Sequence, residues 1–207
     1  MMMLQTISID EKFQLAKIDP AFRDIFKSAL PFLETRKNLI HTYIVYQYAT
    51  ALLKCAQGAP EVIMPACILH DVGWSAIPVS DQLKAFKPGK RDESLRRKHE
   101  TEGVAIARDI LAALGFQDAR INQIVSIIDG HDTTQAARSP EDAVVKDADK
   151  LWRYSKVGFH IDIERFEFPP KRHFDYLVGH LDKWFLTREG RTIAIHEAHQ
   201  RELAYGV

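Results

Sequence analysis

Residues 62–69, Val-Ile-Met-Pro-Ala-Cys-Ile-Leu, are apolar without a break and run directly into His70-Asp71. A helix that is apolar on every side belongs at the centre of a fold, with other elements packed around it. The rest of the chain follows helical spacing as well. No run alternates apolar and polar residues, and no Asn-Gly or Asp-Gly joins two strand patterns. Asp129-Gly130 comes nearest, but it closes a helical pattern. These features predict an all-α bundle with no sheet beyond two short strands.

The expected elements follow from periodicity and punctuation. A first helix fits residues 20–33. A second fits 38–56, with Leu39, Val45, Tyr48, Ala49, Leu52 and Leu53 on its apolar face. Gly58-Ala59-Pro60 separates it from the apolar helix 61–70, proline being suited to a first helical position. Pro65 predicts a kink or an irregular start there, and Gly73 stands where that helix would stop. Residues 74–93 carry Pro78, Pro88, Gly89 and several charges, so they read as a long loop, either a lid or a surface excursion. A strong helix fits 94–114, closed by Gly115, and another has its core at 121–128. Ser139-Pro140-Glu141-Asp142 has the composition of a helix start, and that helix carries Val144, Val145, Ala148, Leu151 and Trp152. An irregular stretch containing Pro169-Pro170 precedes two final helices, at 171–186 and 189–205. The expected organisation is one globular domain: an N-terminal helical segment (1–37), a core (38–155) and C-terminal helices packed on it (156–207).

Bulk properties narrow the function. The 207 residues balance 28 Lys and Arg against 28 Asp and Glu, which gives no strong nucleic-acid signal, since phosphate-backbone binders rely on surplus positive charge. No apolar stretch reaches the roughly 18 residues of a membrane span. The start, Met1 to Thr6, lacks the charged and apolar regions of a signal peptide. Cys55 and Cys67 lie in apolar helical patterns without C-x-x-C spacing, so both are expected to be reduced and packed in the core of a cytoplasmic protein.

The remaining signal is a set of metal-ligand residue types on inward faces. His41 lies four residues before Val45 and seven before Tyr48, on the apolar stripe. His99 shares a face with Gly103, Ile106 and Ile110; His131 extends the line of Ile121, Ile124 and Ile128; Asp149 falls between Val145 and Trp152. One inward histidine is usually a satisfied core residue. Four of them with an Asp pair are harder to explain, because buried ionisable groups cost several kcal/mol unless paired or metal-bound. His160, His173, His180, His196 and His199 are read as non-ligands, His173 being the least clear. Phosphate-loop, dinucleotide-binding, serine-hydrolase and H-E-x-x-H patterns are all absent, which leaves metal chemistry.

The order His41 … His70-Asp71 … Asp149 resembles the HD-domain superfamily of metal-dependent phosphohydrolases. Leu69-His70-Asp71-Val72-Gly73 is similar to its helix-end motif, and Lys146-Asp147-Ala148-Asp149-Lys150-Leu151 to its final motif. Lys98-His99-Glu100 and Ile127-Ile128-Asp129-Gly130-His131 look like the additional histidines of members that hold a second metal or bind phosphate. Arg172-His173-Phe174 and Thr187-Arg188-Glu189-Gly190 resemble the C-terminal helices of small bacterial members, so the likeness covers about residues 38–204. Trp74 stands where many members have a basic residue.

The resemblance implies an HD-type helical bundle with a C-terminal extension. It also implies a divalent ion (Mn, Mg, Fe, Ni or Zn), one or two per chain, held by His41, His70, Asp71 and Asp149. Asp147 is the fallback ligand or a neighbour of the ligands. Asp71, His99 and His131 are the catalytic candidates. The closest likeness is to members with one metal, which gives His99 and His131 to phosphate contacts in preference to a second ion. Lys98, Lys146 and Lys150 are candidates for neutralising phosphate. The implied reaction is hydrolysis of a phosphoester or phosphoanhydride in a small phosphorylated compound, a nucleotide being favoured. The alternatives are a di-iron HD oxygenase with the same four histidines and two aspartates, and a non-catalytic nucleotide sensor. A homodimer stays open.

Overall fold

The computed structural model describes residues 8–85 and 92–207 and contains no β-strand among them. The start of the chain and the middle of the 74–93 stretch lie outside the described residues. The α-helices are α1 (Arg23–Ala29), α2 (Asn38–Leu52), α3 (Pro60–Leu69), α4 (Val79–Gln82), α5 (Glu93–Ala113), α6 (Asp118–Ile128), α7 (Pro140–Leu151), α8 (Lys156–Phe166), α9 (Pro170–Val178), α10 (Leu181–Trp184) and α11 (Arg188–Tyr205). Short 3-10 turns extend several of them, including Val72–Ala76 and Trp152–Tyr154. The all-α expectation holds. Among the described residues no single helix is long and apolar enough to cross a membrane.

The apolar helix α3 is the axis of the bundle. Val62 to Leu69 are all buried, and α1, α2, α6 and α7 pack around them. Burying a side chain of the Leu or Ile type contributes about 1.5–3 kcal/mol, so this run alone fixes which faces of its neighbours turn inward. Pro65 does not end the helix. The carbonyl that loses its partner is that of Glu61, which is exposed and can bond to water. One apolar core runs from Ile18 to Ala198, so the C-terminal helices share it with the central ones.

Four local expectations need correcting. Gly73 does not stop a helix; it lies in the 3-10 turn Val72–Ala76 pressed against α5. A methyl group there would overlap His99 O and Gly103 N, so only glycine lets the two backbones approach this closely. Cys55 is exposed, because α2 ends at Leu52 and leaves it in the following turn, whereas Cys67 is buried as expected and both thiols are free. The stretch before Pro169-Pro170 is mostly helical: Ser155 caps α8, its hydroxyl accepting from Gly158 N at 3.0 Å. Its buried face consists of Gly158, Phe159, Ile161 and Asp162, and the glycine and aspartate hide the helical pattern. Finally, 171–186 is two helices, α9 and α10, broken at Gly179-His180.

Candidate metal centre

Five elements converge at the C-terminal end of α3. His70 caps α3 and Asp71 follows it; α2 brings His41, α5 brings His99, the turn after α6 brings His131, and α7 brings Asp149. His41 Nε2 lies 2.9 Å from His70 Nε2, 3.2 Å from Asp71 Oδ2 and 3.4 Å from Asp149 Oδ1. His70 Nε2 is 3.7 Å from the same two carboxylate oxygens. On the other side of Asp71, Oδ1 lies 3.6 Å from His99 Nε2 and 3.5 Å from His131 Nε2, and those nitrogens are 3.3 Å apart. The trios His41, His70, Asp71 and Asp71, His99, His131 each cluster their ligand atoms closely enough to hold one ion. All six side chains that the sequence marks as inward-facing ligand types therefore meet.

Hydrogen bonds on the far ring edges orient these imidazoles. His70 Nδ1 donates to Cys67 O and His131 Nδ1 to Ile128 O, both at 2.8 Å. Each leaves Nε2 facing the centre, the arrangement usual for metal-bound histidine. The indole of Trp74 stacks on His99 with centroids 4.0 Å apart, and its Nε1 donates to Asp71 Oδ1 at 3.0 Å. Glu100, buried beside His99, accepts from Asp132 N, Thr133 N and Thr133 Oγ1 at 2.7–2.9 Å. It pins the turn that carries His131, while Gly130 at φ +94° makes that turn geometrically accessible.

The electrostatics show a nest that demands positive charge. Burial would raise the pKa of Asp71, but His70, His131 and His41 hold it well below the carboxylate range. Burial, opposed by Asp71, lowers His70, and burial together with neighbouring His131 lowers His99 to about 4. Those two rings are neutral, as ligands must be. Burial also works against a charged His131, yet its hydrogen bond with Asp71 and the charge of Asp132 push it up to about 9. A proton there does for the carboxylates what a divalent cation would do, and the mixed nitrogen and oxygen donor set fits such an ion.

The other candidates separate cleanly. Asp147 is buried on a different side of α7, accepting from Leu186 N, Thr187 N and Thr187 Oγ1. It lies away from the cluster and is not the fallback ligand. Lys98 is exposed on α5 and lines neither of the two cavities that adjoin the centre. Lys146 is buried, donating to Thr134 O and Ala136 O. Lys150 is at the centre itself, with Nζ 2.5 Å from Asp149 Oδ2 and 3.4 Å from Asp132 Oδ1. Asp132 is the main omission of the sequence reading. Its Oδ2 lies 3.9 Å from His99 Nε2, and Lys150 and Arg96 hold its pKa well down although burial opposes this. The repeat of the His-Asp dipeptide at 131–132 is the signal that could have found it.

Two cavities adjoin the cluster. A recess of about 30 Å³ is lined by His41, the carboxylates Asp71, Asp132 and Asp149, and Arg36, Arg153 and Arg165. A pocket of about 410 Å³ shares Asp132 and Arg153 with it and reaches α8, the link after it, α9 and α10, where Phe166, Phe168, Tyr176 and Trp184 line it. His173, buried in the wall of this pocket, is no part of the histidine cluster.

A family model described as the HD domain matches residues 38–153, and neither a curated protein nor a solved structure matches the chain. The matched segment begins on α2, three residues before His41, and takes in every member of the cluster. With more than half of its length matched, the chain belongs to the HD-domain family, and this match points to metal-dependent hydrolysis.

Proposed function

We propose that this protein is a two-metal phosphohydrolase acting on a phosphoester or phosphoanhydride of a small compound of the nucleotide type. The observation that carries it is the division of Asp71: Oδ2 faces His41 and His70, while Oδ1 faces His99 and His131. With a histidine pair on each side, Asp71 could serve as a ligand to two divalent ions. This reading takes up the two-metal alternative, in which His99 and His131 would be ligands. His41, His70, Asp71 and Asp149 would hold the first ion, and His99, His131 and Asp71 the second.

Bound divalent ions lower the pKa of a coordinated water and polarise a phosphoryl oxygen. The chain's own residues prepare that site. Lys150 and Arg96 keep Asp132 ionised, so it orients groups beside His99 and is a poor proton acceptor. Trp74 covers His99 and keeps bulk water from that side. The 410 Å³ pocket falls within the range of small-molecule sites, roughly 300–1,000 Å³, and its four aromatic side chains beside Lys150, Arg172 and Lys183 suit an aromatic, phosphorylated ligand.

The test is a metal-screened hydrolysis panel of nucleoside mono-, di- and triphosphates, dinucleoside polyphosphates and a generic phosphodiester. Turnover should require added metal, with about two ions per chain. Replacing both His99 and His131 by alanine should lower this towards one and abolish most activity. An iron-loaded protein that consumes dioxygen, shows a mixed-valent iron signal and hydrolyses nothing would establish the oxygenase alternative instead.

A further inference from the structure

The 410 Å³ pocket is lined by residues of two origins. His131, Asp132 and Lys150 belong to the metal centre and to the matched family segment. Phe166, Phe168, His173, Tyr176 and Trp184 all follow that segment, which ends at residue 153. These five rings form an unbroken series. Centroids are 5.7 Å apart from Phe166 to Phe168, 6.4 Å from Phe168 to His173, 6.3 Å from His173 to Tyr176 and 5.6 Å from Tyr176 to Trp184. All fall within the roughly 4.5–7 Å at which rings attract one another. Asp162 ties the series to the rest of the lining: its Oδ2 is 2.5 Å from Arg153 Nη1 and 3.9 Å from His173 Nε2, and Arg153 lines the pocket together with Asp132.

Core packing does not account for this wall. Phe166, Phe168, Tyr176 and Trp184 are only half-buried. Tyr176 and Trp184 pack against the main apolar core, whereas Phe166 and Phe168 do not join it. Partly exposed rings gathered in one cavity forgo burial that a ligand would supply, which is how an exposed apolar patch marks a binding site. The rings are also held in place. His180, which does not line the pocket, packs on Tyr176 and Trp184 with centroids 4.3 and 4.5 Å away, and the Arg172 guanidinium lies 4.4 Å over Phe168. The wall has little with which to read polar edges. Phe166 and Phe168 carry no polar side-chain atom, and both nitrogens of His173 are buried without a hydrogen-bond partner among the described residues. What it offers is ring surface, and stacking on ring surface tolerates any base because every base has a π-face.

We propose that the aromatic wall is the specificity site: it stacks the base of a nucleoside phosphate whose phosphate lies at the metal centre, and it does so with little regard to which base. The residues that select the substrate then lie outside the HD segment, which carries the histidine and aspartate cluster. This deepens the phosphohydrolase reading and rests on it for the reaction, though not for the binding of the base.

Nucleosides without phosphate test the wall apart from turnover. In calorimetry of the metal-loaded protein, adenosine, guanosine, cytidine and uridine should bind within about thirtyfold of one another, and ribose more than about tenfold below the weakest of them. Phe166→Leu and Phe168→Leu, which keep apolar bulk and remove the ring, should each weaken adenosine binding about fivefold at unchanged metal content. Phe168→Tyr, which restores a ring, should bind like the wild type. Trp184 is one of three tryptophans, and adenosine should quench the fluorescence of the wild type more than that of Trp184→Phe. With adenosine monophosphate as substrate, the Phe166→Leu, Phe168→Leu double variant should raise KM more than it lowers kcat. A double variant that binds adenosine like the wild type, ribose that binds as tightly as the nucleosides, or a wider spread among the bases overturns the proposal. Nucleosides held by a protein that hydrolyses nothing in the panel would refute the hydrolase reading and leave the wall standing. Turnover of panel phosphates without nucleoside binding would refute the wall alone.

Discussion

Replacing Asp147 by alanine should cost stability and leave the metal untouched. Its carboxylate fastens α7 to the start of α11: Oδ1 accepts from Leu186 N at 2.8 Å, and Oδ2 from Thr187 N at 2.8 Å and Thr187 Oγ1 at 2.5 Å. Thr187 Oγ1 then caps α11 by accepting from Gly190 N at 2.9 Å, and a side chain at Gly190 would overlap the Asp147 carboxylate. Hydrogen bonds to a charged group contribute about 1.5–3 kcal/mol each. The sum is reduced because burying this carboxylate is itself unfavourable, which pushes its pKa up despite those bonds. A net loss of about 3 kcal/mol is reasonable, in line with the roughly 3–5 kcal/mol for breaking a buried charged arrangement. For a chain of this length that lowers Tm by roughly 6–12 °C. Calorimetry of the metal-loaded protein at pH 7, with elemental analysis of the same samples, checks both halves. Asp147→Asn, which keeps one acceptor oxygen, should lose less. An alanine variant melting within about 2 °C of the wild type, or one that has shed its metal, would refute the reasoning.

Three further outcomes follow from the same structure. Asp71→Ala should lose both ions and melt at lower temperature even with metal added, because binding to the folded state alone is stabilising; full metal content by elemental analysis counts against the bridge. Gly73→Ala should destabilise by more than about 3 kcal/mol, since backbone and not a flexible side chain blocks the methyl group, and a urea midpoint like that of the wild type would show that the 3-10 turn can retreat from α5. His173, buried, has its pKa lowered to about 4 by burial, with Asp162 opposing. The unfolded chain therefore takes up this proton first, so the stability is fully present above about pH 6.5 and lost as pH falls towards 4, about 3 kcal/mol in all. Urea unfolding at pH 7 and pH 5 should show His173→Phe losing less stability on acidification than the wild type, and equal losses would sink the assignment.

The fold was legible where burial and residue type agree. Along α3 and α6 the buried positions are those that helical spacing marks as apolar, so the pattern and the structure carry the same information. It failed where the buried face is built from other residues. In α8 the interior positions include Gly158, which lets Trp152 O approach, and Asp162, which binds two arginines. A polarity scale counts both as surface residues. Cys55 failed for the opposite reason: the apolar pattern continues past Leu52, but the helix does not.

The centre divides in the same way. His41, His70, Asp71, His99, His131 and Asp149 could be found because each continues an apolar stripe, and a polar residue in that place needs a reason. Asp147 carries an identical side chain two residues from Asp149, and spacing along α7 could not say which of them met the histidines; only the position of the Leu186-Thr187 amides decides it. The arginines were illegible by the same logic. Arg36 lies before α2, Arg165 near the end of α8, and Arg153 in the 3-10 turn after α7, so nothing in their local sequence links them. Arg153 and Arg165 meet at Asp162 on α8, and Arg165 reaches the Arg36 carbonyl. Residues that hold an ion must lie on rigid inward faces and so leave a periodic trace, whereas long cationic side chains reach a site from its rim and leave none.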